Sequence, residues 1–309
     1  MTDLEPQLFE PIRFTLTQVM KAEGVEKTCV FDSPDKSTHD SDTSSTIWFE
    51  NSNLPQITNG LHNLGNTCYL NSVIQVLLNT PSFVFQSQMS KDNHKTGHTC
   101  QPTGPSRVCY TCETLKLCAN ARLKTTSPNH IVDNLKFLNK RFSRGKQQDS
   151  HEFFLMLINR LDDRLKSSFK GTITSSVKCK RNHVSKTNED FLNLTLDIFQ
   201  LGSINNALKR HFAESGVIKG YLCSGCKTKV DITKQYDWKE TPNYLVLHLN
   251  RFDRFANKIG QHIDFDFNLR VNGTEYTLYG VVEHLGSSID FGHYIAYVMS
   301  SARVWYRVW

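Results

Sequence analysis

The spacing of apolar positions changes partway along the chain. From Leu70 they fall at Leu70, Val73, Ile74, Leu77 and Leu78, the i, i+3, i+4, i+7, i+8 stripe of one helix face. Pro81 is expected to stop that helix. Further helices are predicted over 108–123, 131–142 and 149–165. The last carries the clearest stripe, through Phe153 or Phe154, Leu157, Ile158, Leu161 and Leu165, with Asp149 and Ser150 as N-caps. From Ile173 the pattern becomes strand-like. Leu192, Leu194 and Leu196 alternate. Residues 204–212 read as a short helix. Residues 244–249 form a continuous apolar run that suits a central strand. Asn272-Gly273 is a hairpin turn signal between 267–271 and 275–282, and 304–309 is a last strand-like piece. Helices followed by strands predict an α+β fold, with a helical part at about 58–165 and a β-rich part at about 170–309. No internal repeat is visible.

Residues 1–57 fall outside this pattern. The stretch from Phe31 to Ser44 is polar and rich in Ser, Thr and Asp, so a partly disordered leader is expected. Ile47-Trp48-Phe49 is expected to pack back on the domain. No secretory signal stands at the N-terminus, and no run of about 18 apolar residues predicts a membrane span. The net charge of +6 comes without an aromatic-interleaved basic stripe, so neither nucleic acid nor membrane is an expected partner. Nine cysteines, an odd number with several close to histidines, fit metal or catalytic thiols in an intracellular protein better than a disulfide framework.

The candidate chemistry starts at Asn63-Leu64-Gly65-Asn66-Thr67-Cys68. Cys68 stands at or just before a helix start, where free N–H groups and the helix dipole favour an anion. A thiolate is such an anion, so a lowered pKa and nucleophilicity are expected. Gly65 permits a tight turn ahead of it, and the Asn63 amide could donate to an oxyanion beside the cysteine. A buried structural cysteine at a helix cap would give the same local pattern. A cysteine nucleophile needs a base, and Gly292-His293-Tyr294-Ile295-Ala296-Tyr297-Val298 places His293 at the opening of a predicted strand.

Two cysteine groups have metal-site composition. His94, His98 and Cys100 precede Cys109-Tyr110-Thr111-Cys112, with Cys118 nearby, and either histidine could be a fourth ligand. Free thiols at a helix start are the alternative. Cys223-Ser224-Gly225-Cys226 is a zinc-knuckle half.

These blocks together resemble the ubiquitin-specific proteases, a papain-like family of cysteine deubiquitinases. The cysteine box reads GLHNLGNTCYLNSVIQVL from Gly60, and the histidine box reads YTLYGVVEHLGSSIDFGHYIAYV from Tyr276. QQDSHEFF from Gln147 and PNYLVLHLNRF from Pro242 lie between them in the family's order. The resemblance covers about 58–309. It implies a papain-like fold with a helical subdomain, a β-rich subdomain and a cysteine-pair finger module, and a cysteine-type deubiquitinase as the activity. It further implies Cys68 as nucleophile, His293 as base, Asn63 at the oxyanion, and Gln148 and Asp149 as contacts to ubiquitin. Ubiquitin and ubiquitinated proteins are the implied partners, in the cytoplasm or nucleus. Catalysis needs no cofactor.

Two departures from the family matter. The finger's first half is C-x-x-C in the family, but here it runs Cys179-Lys180-Arg181-Asn182-His183. The site is therefore either Cys179, His183, Cys223 and Cys226 around a structural zinc, which is the expectation, or a finger without metal. The residue that orients the histidine lies, in the family, four after the tryptophan matched by Trp305. That position is Trp309, whose indole donates but cannot accept. Asp290 precedes the histidine strand and is not expected to reach it. A catalytic domain lacking its C-terminal end is thus expected, with a ubiquitin-binding pseudoenzyme as the alternative to an active hydrolase.

Overall fold

The computed structural model describes residues 16–22, 58–89, 108–253, 255, 257–286, 291–300 and 304–308. Helices dominate its first half: α1 (Cys68–Leu78), α2 (Pro81–Met89), α3 (Tyr110–Ala121), α4 (Asn129–Asp133), α5 (Leu135–Leu138), α6 (Ser150–Ile158) and α7 (Asp163–Ser167). Every residue of α1 is buried, so this helix is an axis of the domain and not a surface element. Leu70, Ile74, Leu77 and Leu78 share one core with Phe83, Phe153, Phe154 and Phe169. Two polar α1 side chains donate to backbone inside that core. Gln75 donates to the carbonyl of Asn59 at 3.0 Å, and Asn71 to that of His62 at 3.2 Å.

Three helix expectations are corrected. Pro81 does not only stop α1, which ends at an Asn79 cap. It opens α2, because the N–H that proline lacks is unneeded in a helix's first turn. The segment 131–142 is not one helix. Its break falls at Asn134, whose side chain donates to the carbonyl of His130 at 2.8 Å, a local bond that competes with helix continuation. The segment 149–165 divides likewise. Asp162 starts α7 as a second N-cap, accepting from the Leu165 N–H at 3.1 Å.

The second half is built on two sheets. The larger contains β1 (Leu16–Ala22), β4 (Leu194–Asp197), β7 (Tyr244–Asn250), β8 (Asn268–Val271), β9 (Thr274–Leu285), β10 (His293–Met299) and β11 (Trp305–Val308). Its order is β11-β10-β9-β1-β7-β4, with β8 paired to β9. The β8–β9 hairpin turns at Asn272 (φ 48°) and Gly273 (φ 79°), as an Asn-Gly turn requires. β7 is buried along most of its length, as a central strand should be. β1 comes from the stretch expected to be a leader and lies between β7 and β9, antiparallel to both. The polar stretch 31–44 and residues 47–49 lie outside the described residues.

The smaller sheet, in the order β3-β2-β6-β5, comprises β2 (Gly171–Cys179), β3 (Val184–Phe191), β5 (Ile218–Cys223) and β6 (Thr228–Glu240). A further helix, α8 (Ile204–Phe212), packs against β4. Among the described residues no helix is long and apolar enough to cross a membrane.

The helical part meets the larger sheet through α1, which packs on β9 and β10. Gly280 of β9 makes this close approach feasible, since a Cβ there would lie 2.5 Å from Val76 Cγ1.

Candidate active site

The chain reaches α1 through a turn with two consecutive left-handed residues, Gly65 (φ 94°) and Asn66 (φ 52°). Glycine and asparagine are the residue types that adopt this conformation at least cost. Asn66 is pinned by its amide, which donates to the carbonyl of Gly145 at 2.7 Å. The centre of the turn is the side-chain oxygen of Asn63. It accepts from the N–H of Gly65 (3.0 Å), the N–H of Thr67 (3.2 Å) and the hydroxyl of Thr67 (3.0 Å). The Asn63 oxygen is thereby committed to the loop, which leaves its NH2 as the donor available to a ligand.

Thr67 is the N-cap of α1, yet its hydroxyl faces back to Asn63 and Leu64 and does not cap the helix. The carbonyl of Thr67 accepts from Leu70 and Asn71. The first N–H groups, at Cys68 and Tyr69, have no partner within the helix. Cys68 itself is buried, with 7% of its surface exposed. Its setting is thus a nearly covered thiol at an uncapped helix N-terminus, where negative charge is favoured.

His293 opens β10 and is exposed. Its flanking residues are both tied to the segment that starts α6. The N–H of Gly292 donates to Oε1 of Gln147 at 3.3 Å, and Tyr294 is hydrogen-bonded to Ser150. Burial, with the Asp149 carboxylate and the Cys68 thiol nearby, pushes the Tyr294 phenol well above its ordinary value. Cys68, His293, Tyr294 and Asp149 are therefore brought to one region, by α1 packing on β10 and by α6 beginning beside β10.

Asp149 caps α6, accepting from the Glu152 N–H at 2.7 Å through Oδ1. Gln148 donates to the carbonyl of Arg141 at 3.1 Å, so it braces the loop that precedes α6. The sequence did not mark His284, at the end of β9, as part of this region. Its ring packs against Tyr294 with centroids 4.6 Å apart and the ring planes tilted by 44°. Burial, then the Lys258 ammonium, pulls its pKa down to about 4. A second pair, His151 of α6 and His248 of β7, stacks face to face at 3.7 Å. Both are shifted toward the neutral form, chiefly by burial, His248 to about 4. A buried Glu283-His284 pair at the end of an apolar strand was the available signal.

The finger brings Cys179, His183, Cys223 and Cys226 together, with all four candidate ligand atoms within 4.8 Å of one another. Cys179 Sγ lies 3.8 Å from Cys226 Sγ, and His183 Nδ1 lies 3.2–3.8 Å from the three sulfurs. A tetrahedral zinc with Zn–S bonds of about 2.3 Å sets sulfurs about 3.8 Å apart, so the donor set fits zinc. Asn182 stands at the left-handed turn position (φ 62°), and it is His183 after it whose ring meets the three sulfurs. The His183 ring lies over Gly225, where a Cβ would come within 2.6 Å of it. The other cysteine group behaves differently. Cys118 is buried and donates to the carbonyl of Leu78, while His94, His98 and Cys100 lie outside the described residues. So do Asp290 and Trp309.

Comparison with known proteins agrees with this geometry. Ubiquitin carboxyl-terminal hydrolase 23 of Arabidopsis thaliana is 32% identical over 281 residues, covering 81% of this chain and 32% of its own length. Ubiquitin carboxyl-terminal hydrolase 36 of Drosophila melanogaster is 31% identical, covering 81% and 27%. The chain thus spans about a third of the length of the curated relatives it matches. Among solved structures, the SAGA DUB module of Ubp8, Sgf11, Sus1 and Sgf73 bound to monoubiquitin contains a chain that superposes with a TM-score of 0.67 at 25% identity. The match covers 82% of this chain and 63% of that one. The model of the ubiquitin carboxyl-terminal hydrolase family matches residues 59–308, from the turn that leads to Cys68 through the end of β11. On that match the chain belongs to the ubiquitin carboxyl-terminal hydrolase family, with the papain-like α+β fold of its ubiquitin-specific proteases.

Proposed function

We propose that this chain is a cysteine-type deubiquitinase that hydrolyses the isopeptide or peptide bond after the C-terminal glycine of ubiquitin. The observation that carries the reading is the uncapped start of α1, which presents the Cys68 thiol and a free N–H while the Asn63 oxygen is bonded away from it. In the reaction, His293 takes the thiol proton and the thiolate attacks the scissile carbonyl. The oxyanion is held by the Cys68 N–H and the Asn63 NH2. Collapse breaks the C–N bond, and His293 returns the proton to the leaving amine. Water then attacks the thioester, gives a proton to His293 and releases the thiolate. Asp149 has one oxygen beyond the cap bond and, with Gln148, meets the basic C-terminal tail of ubiquitin as a charge-assisted acceptor.

The finger holds a structural zinc through Cys179, His183, Cys223 and Cys226, with every ligand position filled by protein. Bound zinc would pin β2, β5 and β6 together where the sheet has only a small apolar cluster of its own. The seven described cysteines stand as thiols, which suits an intracellular setting, cytoplasmic or nuclear.

The test is reaction with a ubiquitin that carries a C-terminal electrophile. The chain should label at one site, and Cys68→Ala should abolish labelling while leaving ubiquitin binding intact. Full labelling of Cys68→Ala would place the nucleophile elsewhere and defeat the reading.

A further inference from the structure

One side chain on the far side of His293 links two loops. Lys258 lies in the connection from β7 to β8. Its ammonium donates to the carbonyl of His284 at 3.0 Å and to the carbonyl of Gly286, and it faces His284 Nδ1 at 3.3 Å. The loop around Lys258 is built to hold it. Asp253 accepts from the N–H groups of Phe255 and Asn257 and from the Asn257 side chain. The buried Arg251 donates to the carbonyls of Ile259 and Gln261.

On the other side of the ammonium lies the connection from β9 to His293. Its two ends touch, since a Cβ on Gly286 would come within 2.7 Å of the Phe291 carbonyl and 2.9 Å of Gly292 Cα. His284 presses on the same place: a Cβ on Gly292 would lie 2.0 Å from His284 Nε2. The imidazole therefore sits between Lys258 and the backbone of Gly292, with the Tyr294 ring tilted beside it. Both neighbours of His293 in sequence thus rest on His284, and His284 rests on Lys258.

We propose that Lys258 is a positioning residue for the hydrolysis. It clamps the His284 ring and the Gly286 carbonyl, and through them fixes the backbone that carries His293. An ammonium suits this task because its three donors meet two carbonyls and a ring nitrogen at once, and because it keeps a buried neighbouring imidazole in the neutral form that can accept from it. Lys258, Asp149, His293 and Tyr294 are among the groups that face His284. The inference rests on the deubiquitinase reading and names a component of that same site.

The experiment uses the full chain and the ubiquitin electrophile, measuring the maximal labelling rate and the half-saturating probe concentration separately. Lys258→Met keeps the stem and removes the donors. It should lower the maximal rate about tenfold or more, as loss of reacting-group alignment does, with half-saturation unchanged. Lys258→Arg, which can reach both carbonyls, should recover most of the rate. Lys258→Gln is the second variant should the methionine form fail to fold, with the same loss expected. An unchanged maximal rate overturns the inference. So does a rise in half-saturation alone, which would make Lys258 a ubiquitin contact. A wild-type chain that does not label overturns the deubiquitinase reading itself, and that outcome is distinct from the other two.

Discussion

Asn63 carries two separable jobs on one amide, and Asn63→Asp divides them. Its oxygen accepts three hydrogen bonds, two of them part-buried. At about 1 kcal/mol net each, Asn63→Ala should cost roughly 2–3 kcal/mol, and with about 2–4 °C of melting temperature per kcal/mol for a domain of this size, about 4–12 °C. Asn63→Asp keeps the acceptor and adds negative charge near a helix N-terminus, which is favourable by about 0.3–1 kcal/mol. Its melting temperature should therefore stay close to that of the wild type. The NH2 is lost in both variants. An oxyanion donor is worth about 2.7–4 kcal/mol of the barrier, so both should lose about 10²–10³ in turnover of a ubiquitin C-terminal amide. The assay pairs a thermal melt with that turnover rate. If Asn63→Asp turns over at nearly the wild-type rate, the amide is not the oxyanion donor. If it melts as low as Asn63→Ala, the oxygen is not the anchor of the turn.

Two further outcomes are expected. Gly225→Ala should drive the His183 ring off its place, because the new Cβ would fall 2.8 Å from Nδ1, and should weaken zinc binding by about 10–100-fold, as loss of ligand orientation does; a competitive chelator titration reads this, and an unchanged affinity would remove His183 from the ligand set. Stability should fall as pH drops from about 6.5 to about 4, because the His248 pKa is depressed in the fold, so the unfolded chain takes up the proton first and the native state loses ground through that window; melts at stepped pH should show a smaller slope in His248→Phe, and an equal slope would assign the effect to other groups such as His284.

Local chemistry was the legible part of this chain. Asn63, Gly65 and Thr67 contact one another within a few residues of Cys68, so their types and spacing nearly determine the turn. His183 could be set beside the three cysteines because it follows Cys179 by only four residues, one beyond Asn182. The Asn272-Gly273 turn was visible for the same reason. Other features depend on partners far away in sequence. Lys258 and His284 meet only once the β9–β10 register and the loop after β7 are set, and no periodicity encodes that. Thr80-Pro81 reads equally well as the end of one helix or the start of another, and burial of Phe83 in the core decides for the second. Leu16 to Ala22 has no two-residue alternation, so its strand arises from the two neighbours it joins.

That strand also sets a timetable for the chain. Leu16 pairs with Glu283, and Thr17 with both His248 and Val282, so this segment is synthesised well before its partners and waits for them. Closing so long a loop is entropically costly, and folds dominated by such distant pairings form slowly. Until β1 arrives, β7 shows one open edge of apolar Tyr-Leu-Val-Leu backbone, the kind of edge that recruits foreign strands. The nascent protein is therefore most exposed to misassembly, and most in need of a chaperone, in the interval between synthesis of β7 and docking of β1.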